Sequence, residues 1–553
     1  MNKRWCIKKL TPQAIEAAKR FNLTPITTQI LFNRQVDENN FLSFLNPSLS
    51  SLHSPSLLPD IDLAYERIQQ AIRKGEKIFL VGDYDVDGIT SLAIFYEYIK
   101  PAGGKFSIYI PHRVKEGYGL NKETVKFAQR EGASLLICFD CGTNSLEEIE
   151  FAKSLGIETI VVDHHQPKEG RNKPLAFINP KAKRSKYPFK ELSSGGITFK
   201  LVQALKGSNC WNLLDLVALS VICDIVPLQG ENRILAREGL KWLRKSERPA
   251  IKILCESSGV KQGNLDVYHI GYILGPRINA SGRVAEAQES LAIFLTPDTN
   301  SIKNRVGRLQ RYNTQRKEIE RFILKEAETK TEFYLQNDYV LIVEGDNWHE
   351  GVLGIVASRL TQKYHRPTFV IGFKGEKGKG SGRSITKFNL VEALNKCQSY
   401  LLSFGGHRKA AGIEILRNNI ENFRKEMNII AKESLSASDL VPNLDIDLEL
   451  KLENINSQLL EELEKLKPFG EENPTPLFLT KGLSSKQPPA KINGGVFSLW
   501  LSDGRFTYEG KFYESNGFRD ILTYGKEFHI VYTLEKNRYY NTPRLVIRDV
   551  RLA

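Results

Sequence analysis

Three short segments carry the residue types that could do chemistry: Asp83-Tyr84-Asp85-Val86-Asp87-Gly88, Asp140-Cys141-Gly142 and Asp163-His164-His165. Like charges a few ångströms apart push one another's pKa values up, so carboxylates at this density can stay ionised together only around cations. A set of carboxylates with imidazole suits Mn2+ or Mg2+ better than structural zinc, which draws on thiolates. Two such ions would activate a water and neutralise a phosphoryl group without a serine or cysteine nucleophile. Each piece also has a plainer reading. Asp-x-Asp-x-Asp-Gly resembles the start of a calcium loop, but Ile94 stands where that loop needs glutamate. Asp-Gly alone is usually a turn, and paired histidines are usually ordinary surface or core residues.

What lifts the acidic segments above these readings is the elements that must position them. Each follows an apolar run, at residues 78–81, 135–139 and 159–162, and helical patterns at 90–98 and 146–155 separate the runs. The runs therefore form parallel strands in a doubly wound α/β domain, and the ligand crevice of such a sheet lies beyond the carboxyl ends of its strands. All three acidic turns converge there. Asp224, after the apolar helical stretch 213–222, is placed to close the same crevice.

Residues 296–330, rich in Arg, Lys, Glu and Gln, read as a long exposed connecting helix. A smaller α/β domain follows, with strands at 339–343 and 368–373 and helices at 352–364 and 390–402. Beyond about residue 439, short apolar runs at 497–501, 528–534 and 544–547, broken by Pro, Gly and Asn, predict a β-barrel of OB type. The expected division is an N-terminal helical extension packed on the first α/β domain (1–55), the catalytic domain (56–295), the connecting helix (296–335), the second α/β domain (336–438) and the barrel (439–553).

Composition agrees. With 553 residues, 41% hydrophobic and 26% charged, the chain is globular and long enough for several domains. A formal charge of +14, from 78 Lys and Arg against 64 Asp and Glu, favours a polyanionic partner such as nucleic acid. The first residues lack a signal-peptide apolar stretch, and no eighteen-residue apolar run occurs, so a cytoplasmic protein without membrane attachment is expected. Seven cysteines argue for reduced thiols rather than a disulfide framework, with Cys138 a buried strand residue despite its C-x-x-C spacing to Cys141.

These motifs together resemble the DHH phosphoesterase family, specifically its single-strand exonuclease branch. The resemblance extends to Gly275-Pro276-Arg277-Ile278-Asn279-Ala280-Ser281-Gly282-Arg283, to 348–359, to Ser381-Gly382-Arg383-Ser384, to Gly405-Gly406-His407-Arg408-Lys409-Ala410-Ala411-Gly412 and to 467–474. It implies a 5′→3′ exonuclease on single-stranded DNA serving repair and recombination, with two divalent cations, Mn2+ or Mg2+. In that scheme Asp83 and Asp85 serve one ion, Asp87, His164 and Asp224 the other, and Asp140 bridges them. His165 faces the scissile phosphate, and Asp163 orients an imidazole by a hydrogen bond. Catalysis would rest on Asp85, Asp87, Asp140, Asp163, His164 and His165, and substrate contacts on Arg277, Asn279, Ser381, Arg383, Gly405, Gly406 and His407.

Around Arg383 a basic stretch, Arg359, Lys363, Arg366, Lys374, Lys377, Lys379 and Lys387, can track a phosphate backbone. Phe497, Trp500, Phe506 and Tyr508 are either base-stacking residues or barrel core. Single-strand-binding protein and a helicase are the expected partners of a monomer. Two other readings compete. Shorter family members degrade oligoribonucleotides or cyclic dinucleotides, but they would not need residues 439–553. A metal-free scaffold would not keep the full ligand set.

Overall fold

The computed structural model describes residues 3–113, 116–117, 119–168, 173–519, 521–537 and 542–553. It forms two compact units, one of His53–Asp224 and Gly239–Pro442, the other of Lys3–Leu52, Ile225–Glu238 and Asn443–Ala553.

In the first unit the expected strands are present as Lys77–Gly82, Ala133–Phe139 and Glu158–Val162, with Lys105–Tyr109 and Ala176–Ile178 completing a five-stranded sheet. Every neighbouring pair is parallel. The central strands are buried on both faces because helices cover both, which is why they read as continuous apolar runs. Helices Val86–Ile99 and Ser194–Lys206 pack together over this sheet.

The helix after this domain runs Thr299–Tyr334 and is less exposed than its composition suggests. Its buried stripe passes from Ile302, Val306 and Leu309 through Asn313, Arg316 and Glu320 to Ile323 and Ala327. Arg316 donates to Asn313 Oδ1 and pairs with Glu320, which Arg359 also contacts. A stripe that turns polar midway leaves little hydrophobic periodicity in the sequence.

The second α/β domain is a mixed five-stranded sheet ordered Leu401–His407, Ala410–Leu416, Lys377–Arg383, Thr368–Lys374, Leu341–Asp346. One expectation needs correction here. The helix expected over 390–402 ends at Lys396, and the chain then enters an edge strand that ends in Gly405-Gly406-His407, antiparallel to Ala410–Leu416. Gly406 has φ of +147°, and a Cβ there would lie 2.4 Å from Ala410 O, so only glycine fits this pairing.

In the second unit the C-terminal segment closes into a barrel. Strands Phe478–Ser485, Glu527–Lys536, Pro543–Leu552, Thr507–Tyr513 and Val496–Ser502 pair in that order, and Val496–Ser502 returns to Phe478–Ser485. Phe497 is core, and Phe506 and Tyr508 pack against it, whereas Trp500 is exposed. The N-terminal helices belong to this core, not to that of the first α/β domain: Ile30, Leu31, Phe41 and Leu45 share it with Leu459, Phe478 and Phe528. Strand Arg4–Ile7 pairs in parallel with Asn443–Ile446, and Arg34 forms a buried ion pair with Asp447. Sequence adjacency favoured the first domain, but these apolar helix faces and an open strand edge found complementary surfaces some 400 positions away, as the Arg34–Asp447 separation of 413 shows. Among the described residues no helix is long and apolar enough to cross a membrane. All seven cysteines are free.

Candidate metal centre

Asp83 follows strand Lys77–Gly82, Asp85 is the N-cap of helix Val86–Ile99, and Asp87 lies in that helix's first turn. The Asp85 carboxylate accepts from the N–H groups of Asp87 (2.9 Å) and Gly88 (3.3 Å), and Asn279 Oδ1 accepts from Val86 N–H at 3.0 Å. Gly88 permits the turn, since a Cβ would sit 2.4 Å from Asp83 O. Asp87 is held at the start of a second helix as well: it accepts from Ser194 N–H and Gly195 N–H, both at 2.8 Å, and from Ser220 Oγ at 2.5 Å. Two helix N-termini thus point their orphan N–H groups at carboxylates, where the helix dipole favours negative charge.

Asp140 follows strand Ala133–Phe139 with φ of +60°, a left-handed conformation that few residues other than glycine, asparagine and aspartate adopt. His164 Nε2 lies 3.4 Å from Asp140 Oδ1, 3.4 Å from Asp224 Oδ2 and 3.9 Å from Asp87 Oδ2. Donor atoms group as Asp83, Asp85, Asp140 and as Asp87, His164, Asp224, each set within 4.8 Å, and a further set joins Asp140, Asp163, His164 and His165. Asp163 turns inward: it accepts from the N–H groups of Thr143, His164 and His165 and from His165 Nδ1 at 2.7 Å.

The electrostatics are those of a cation site. Burial, then Asp85, raises Asp83 well above the carboxylate range; burial, then Asp87 and Asp85, does the same to Asp140 and Asp224. Asp87 is pushed up to about 6 by burial against the lowering hydrogen bond from Ser220. His164 is pulled down to about 3 by burial and then by His165, so its imidazole is neutral, the form that binds metal. Asp163 falls well below the usual range because its hydrogen bond and charge contact with His165 outweigh burial, and the same contact raises His165. Buried oxygen donors that resist ionising together, plus one neutral imidazole, fit hard divalent cations.

Beside this cluster lies a cationic one. Arg113 sits over the Tyr84 ring at 4.6 Å, and its charge acts on Asp83, Arg283 and Arg383. Arg283 donates to Gly351 O, and Arg383 to Ser381 Oγ and Gly382 O. None of the three guanidinium groups has an ion-pair partner among the described residues. Burial, then Arg113, brings Arg283 down to about 9. His407 is pulled down by burial and then by the charge of His165, whereas Gly405 faces open space. Arg277 donates to Ile273 O and Gln310 Oε1. Asn279, also expected to touch substrate, accepts from the Val86 N–H through its side-chain oxygen and so braces the acidic turn. Sequence reasoning missed Arg113 and the role of Ser220. The one signal for Ser220 was a hydroxyl inside a helix that is apolar but for Asp215, and Arg113 had none.

Family models of the DHH N-terminal domain, the DHHA1 domain and the RecJ OB domain match residues 77–221, 337–433 and 446–549. The single-stranded-DNA-specific exonuclease RecJ of Bacillus subtilis (strain 168) is 34% identical over 558 residues, covering 100% of this chain and 71% of that protein. The chain belongs to the RecJ family. The crystal structure of RecJ in complex with Mn2+ from Thermus thermophilus superposes with a TM-score of 0.83 at 27% identity, covering 99% of this chain and 79% of that one. The Mg2+ complex of RecJ from the same organism gives 0.77 at 25% identity, covering 99% and 78%. A RecJ-family chain with this donor set is a metal-dependent nuclease, and its cofactors are divalent cations.

Proposed function

We propose that this protein hydrolyses single-stranded DNA from its 5′ end, in DNA repair and recombination. The observation that carries the reading is the pair of buried donor sets meeting at Asp140, 3.4 Å from His164, within a RecJ-family chain.

In this reading Asp83 and Asp85 would hold one cation and Asp87, His164 and Asp224 the other, with Asp140 placed to serve both. Bound there, such ions would supply activation of a water and neutralisation of charge on the attacked phosphate. Asp163 fixes the His165 ring through Nδ1 so that Nε2 is turned to the phosphate, and the same contact raises the His165 pKa. Arg113, Arg283 and Arg383, with Ser381, hold a phosphate next to the scissile one. Unpaired guanidinium forks are suited to that. His407 contributes from the facing domain, and Ser220 and Asn279 position the acidic turn.

We assign residues 56–295 to catalysis, 336–438 to substrate binding and the closed barrel within 439–553 to holding the strand beyond the site. A monomer in the cytoplasm that works with a helicase and single-strand-binding protein completes the reading. The test is digestion of single-stranded DNA, RNA and duplex oligonucleotides, labelled at either end, with Mn2+ and with EDTA. The reading expects Mn2+-dependent release of the 5′ label from single-stranded DNA first, and release of the 3′ label first would overturn the polarity.

A further inference from the structure

Tyr268 and Tyr272 are 60% and 74% exposed, and neither has a part in the site described above. Their rings stack on each other, with centroids 5.3 Å apart and planes inclined by 25°. Tyr268 is the N-cap of a π-helical segment, His269–Leu274, which runs directly into helix Gly275–Val284. Such segments are uncommon within helices and concentrate at functional sites, where they re-aim side chains.

The opposite face of the segment fixes its place. Ile270 and Leu274 are buried, and the Cys223 thiol lies 3.9 Å from Ile270 O. A Cβ on Gly275 would approach that sulfur to 2.6 Å, so backbone and thiol are in close contact. Cys223 immediately precedes Asp224, and its thiol is raised by burial and then by the charges of Asp85 and Asp224. The segment is therefore backed against the chain beside the metal cluster, while the two tyrosines, four positions apart, share its outward face.

The charge one turn further along is positive and, among the described residues, has no ion-pair partner. Arg277 donates to Ile273 O at 2.6 Å and to Gln310 Oε1 at 2.8 Å, neither of which carries charge. The nearby carboxylate, Asp266, is occupied by His269. Exposed aromatic faces beside an unneutralised guanidinium, adjoining a phosphodiester-cleaving centre, match an unpaired polynucleotide: flat apolar bases and a phosphate at each step.

We propose that Tyr268 and Tyr272 form a stacking platform for bases of the single strand, with Arg277 holding the adjoining phosphate. This rests on the nuclease reading. Bases inside a duplex are already stacked and offer the platform no free face, so it also favours unpaired strands.

The test is binding of a fluorescent oligothymidylate to the full-length protein in Ca2+, followed by anisotropy, with no turnover required. For Tyr268→Ala/Tyr272→Ala we expect Kd to rise about tenfold to a hundredfold, the worth of one to two stacked bases. The Tyr268→Phe/Tyr272→Phe protein keeps the rings and should stay within about twofold of wild type. Adjacent abasic pairs moved along the strand should weaken wild-type binding by a similar factor in one register. In the alanine variant that register should cost nothing further. Equal abasic penalties in wild type and alanine variant at every register, or an alanine variant within about twofold of wild type, would overturn the platform. A phenylalanine variant as weak as the alanine one would overturn it too. Failure of the nuclease reading would show separately, as absence of Mn2+-dependent cleavage by the wild-type protein.

Discussion

Loading the metal-free protein with Mn2+ should release protons, and should release more of them in acid. Asp87 is 1% exposed, and its pKa is pushed up to about 6 by burial from an ordinary value of 3.8. A carboxyl with that pKa is roughly 90% protonated at about pH 5 and roughly 10% at about pH 7. A cation takes only the ionised form, so Asp87 alone should give up about 0.9 proton at the lower pH and about 0.1 at the higher. Asp83, Asp140 and Asp224 are raised as well and add to the count, whereas His164, pulled down to about 3, is already neutral and adds nothing. The sign follows from the raised values. Below them the protonated, metal-free form is favoured, so Mn2+ binding strengthens as pH rises through about 6, by up to about tenfold per pH unit for each proton released. The same shift means that Asp87 contributes stability to the metal-free fold below about 3.8 and loses that contribution as pH rises through about 6. Titration calorimetry of EDTA-treated, dialysed protein, in buffers of differing ionisation enthalpy, counts the protons directly. Release below about 0.2 proton near pH 5, or an affinity flat between about pH 5 and 7, would refute the picture of mutually frustrated carboxylates.

Three further outcomes are expected. Asp140→Asn keeps a residue that tolerates the left-handed φ of +60° but removes a buried charge. It should abolish Mn2+-dependent cleavage while raising the melting temperature in EDTA at neutral pH, and a lower melting temperature would count against the charge repulsion inferred here. Arg383→Ala should flatten the log–log salt dependence of single-strand binding by about 0.7 and slow cleavage, and an unchanged slope and rate would show that Arg383 does not touch substrate. Arg34→Ala leaves Asp447 buried without its ion-pair partner, which lies 2.6 Å away, and should cost the barrel-containing unit about 3–5 kcal/mol by urea unfolding. A loss under about 1 kcal/mol would show that water or Asn33 replaces the guanidinium.

The parallel sheet and its acidic turns were legible because two independent patterns, apolar runs and carboxylates at their ends, had to coincide for one architecture. The edge strand ending at His407 was not, since Leu401–His407 contains two glycines and gains its strand character from pairing with Ala410–Leu416, a contact no local propensity encodes. The same holds for the N-terminal helices, whose apolar faces do not say which core receives them. At the site, the ligand types could be read but not the groups that restrain them. Asp87 illustrates the difference. Its carboxylate is identified by the acidic turn, but its orientation is set by N–H groups of Ser194 and Gly195 and by the hydroxyl of Ser220, all more than a hundred positions away. These donors hold Asp87 at about 6 against a burial that would otherwise push it higher, low enough to ionise at neutral pH. The serine and glycine residues therefore tune the pH at which the site accepts a cation without binding the ion themselves. A residue that acts in this way leaves no spacing pattern in a sequence, because its partner is chosen by the fold.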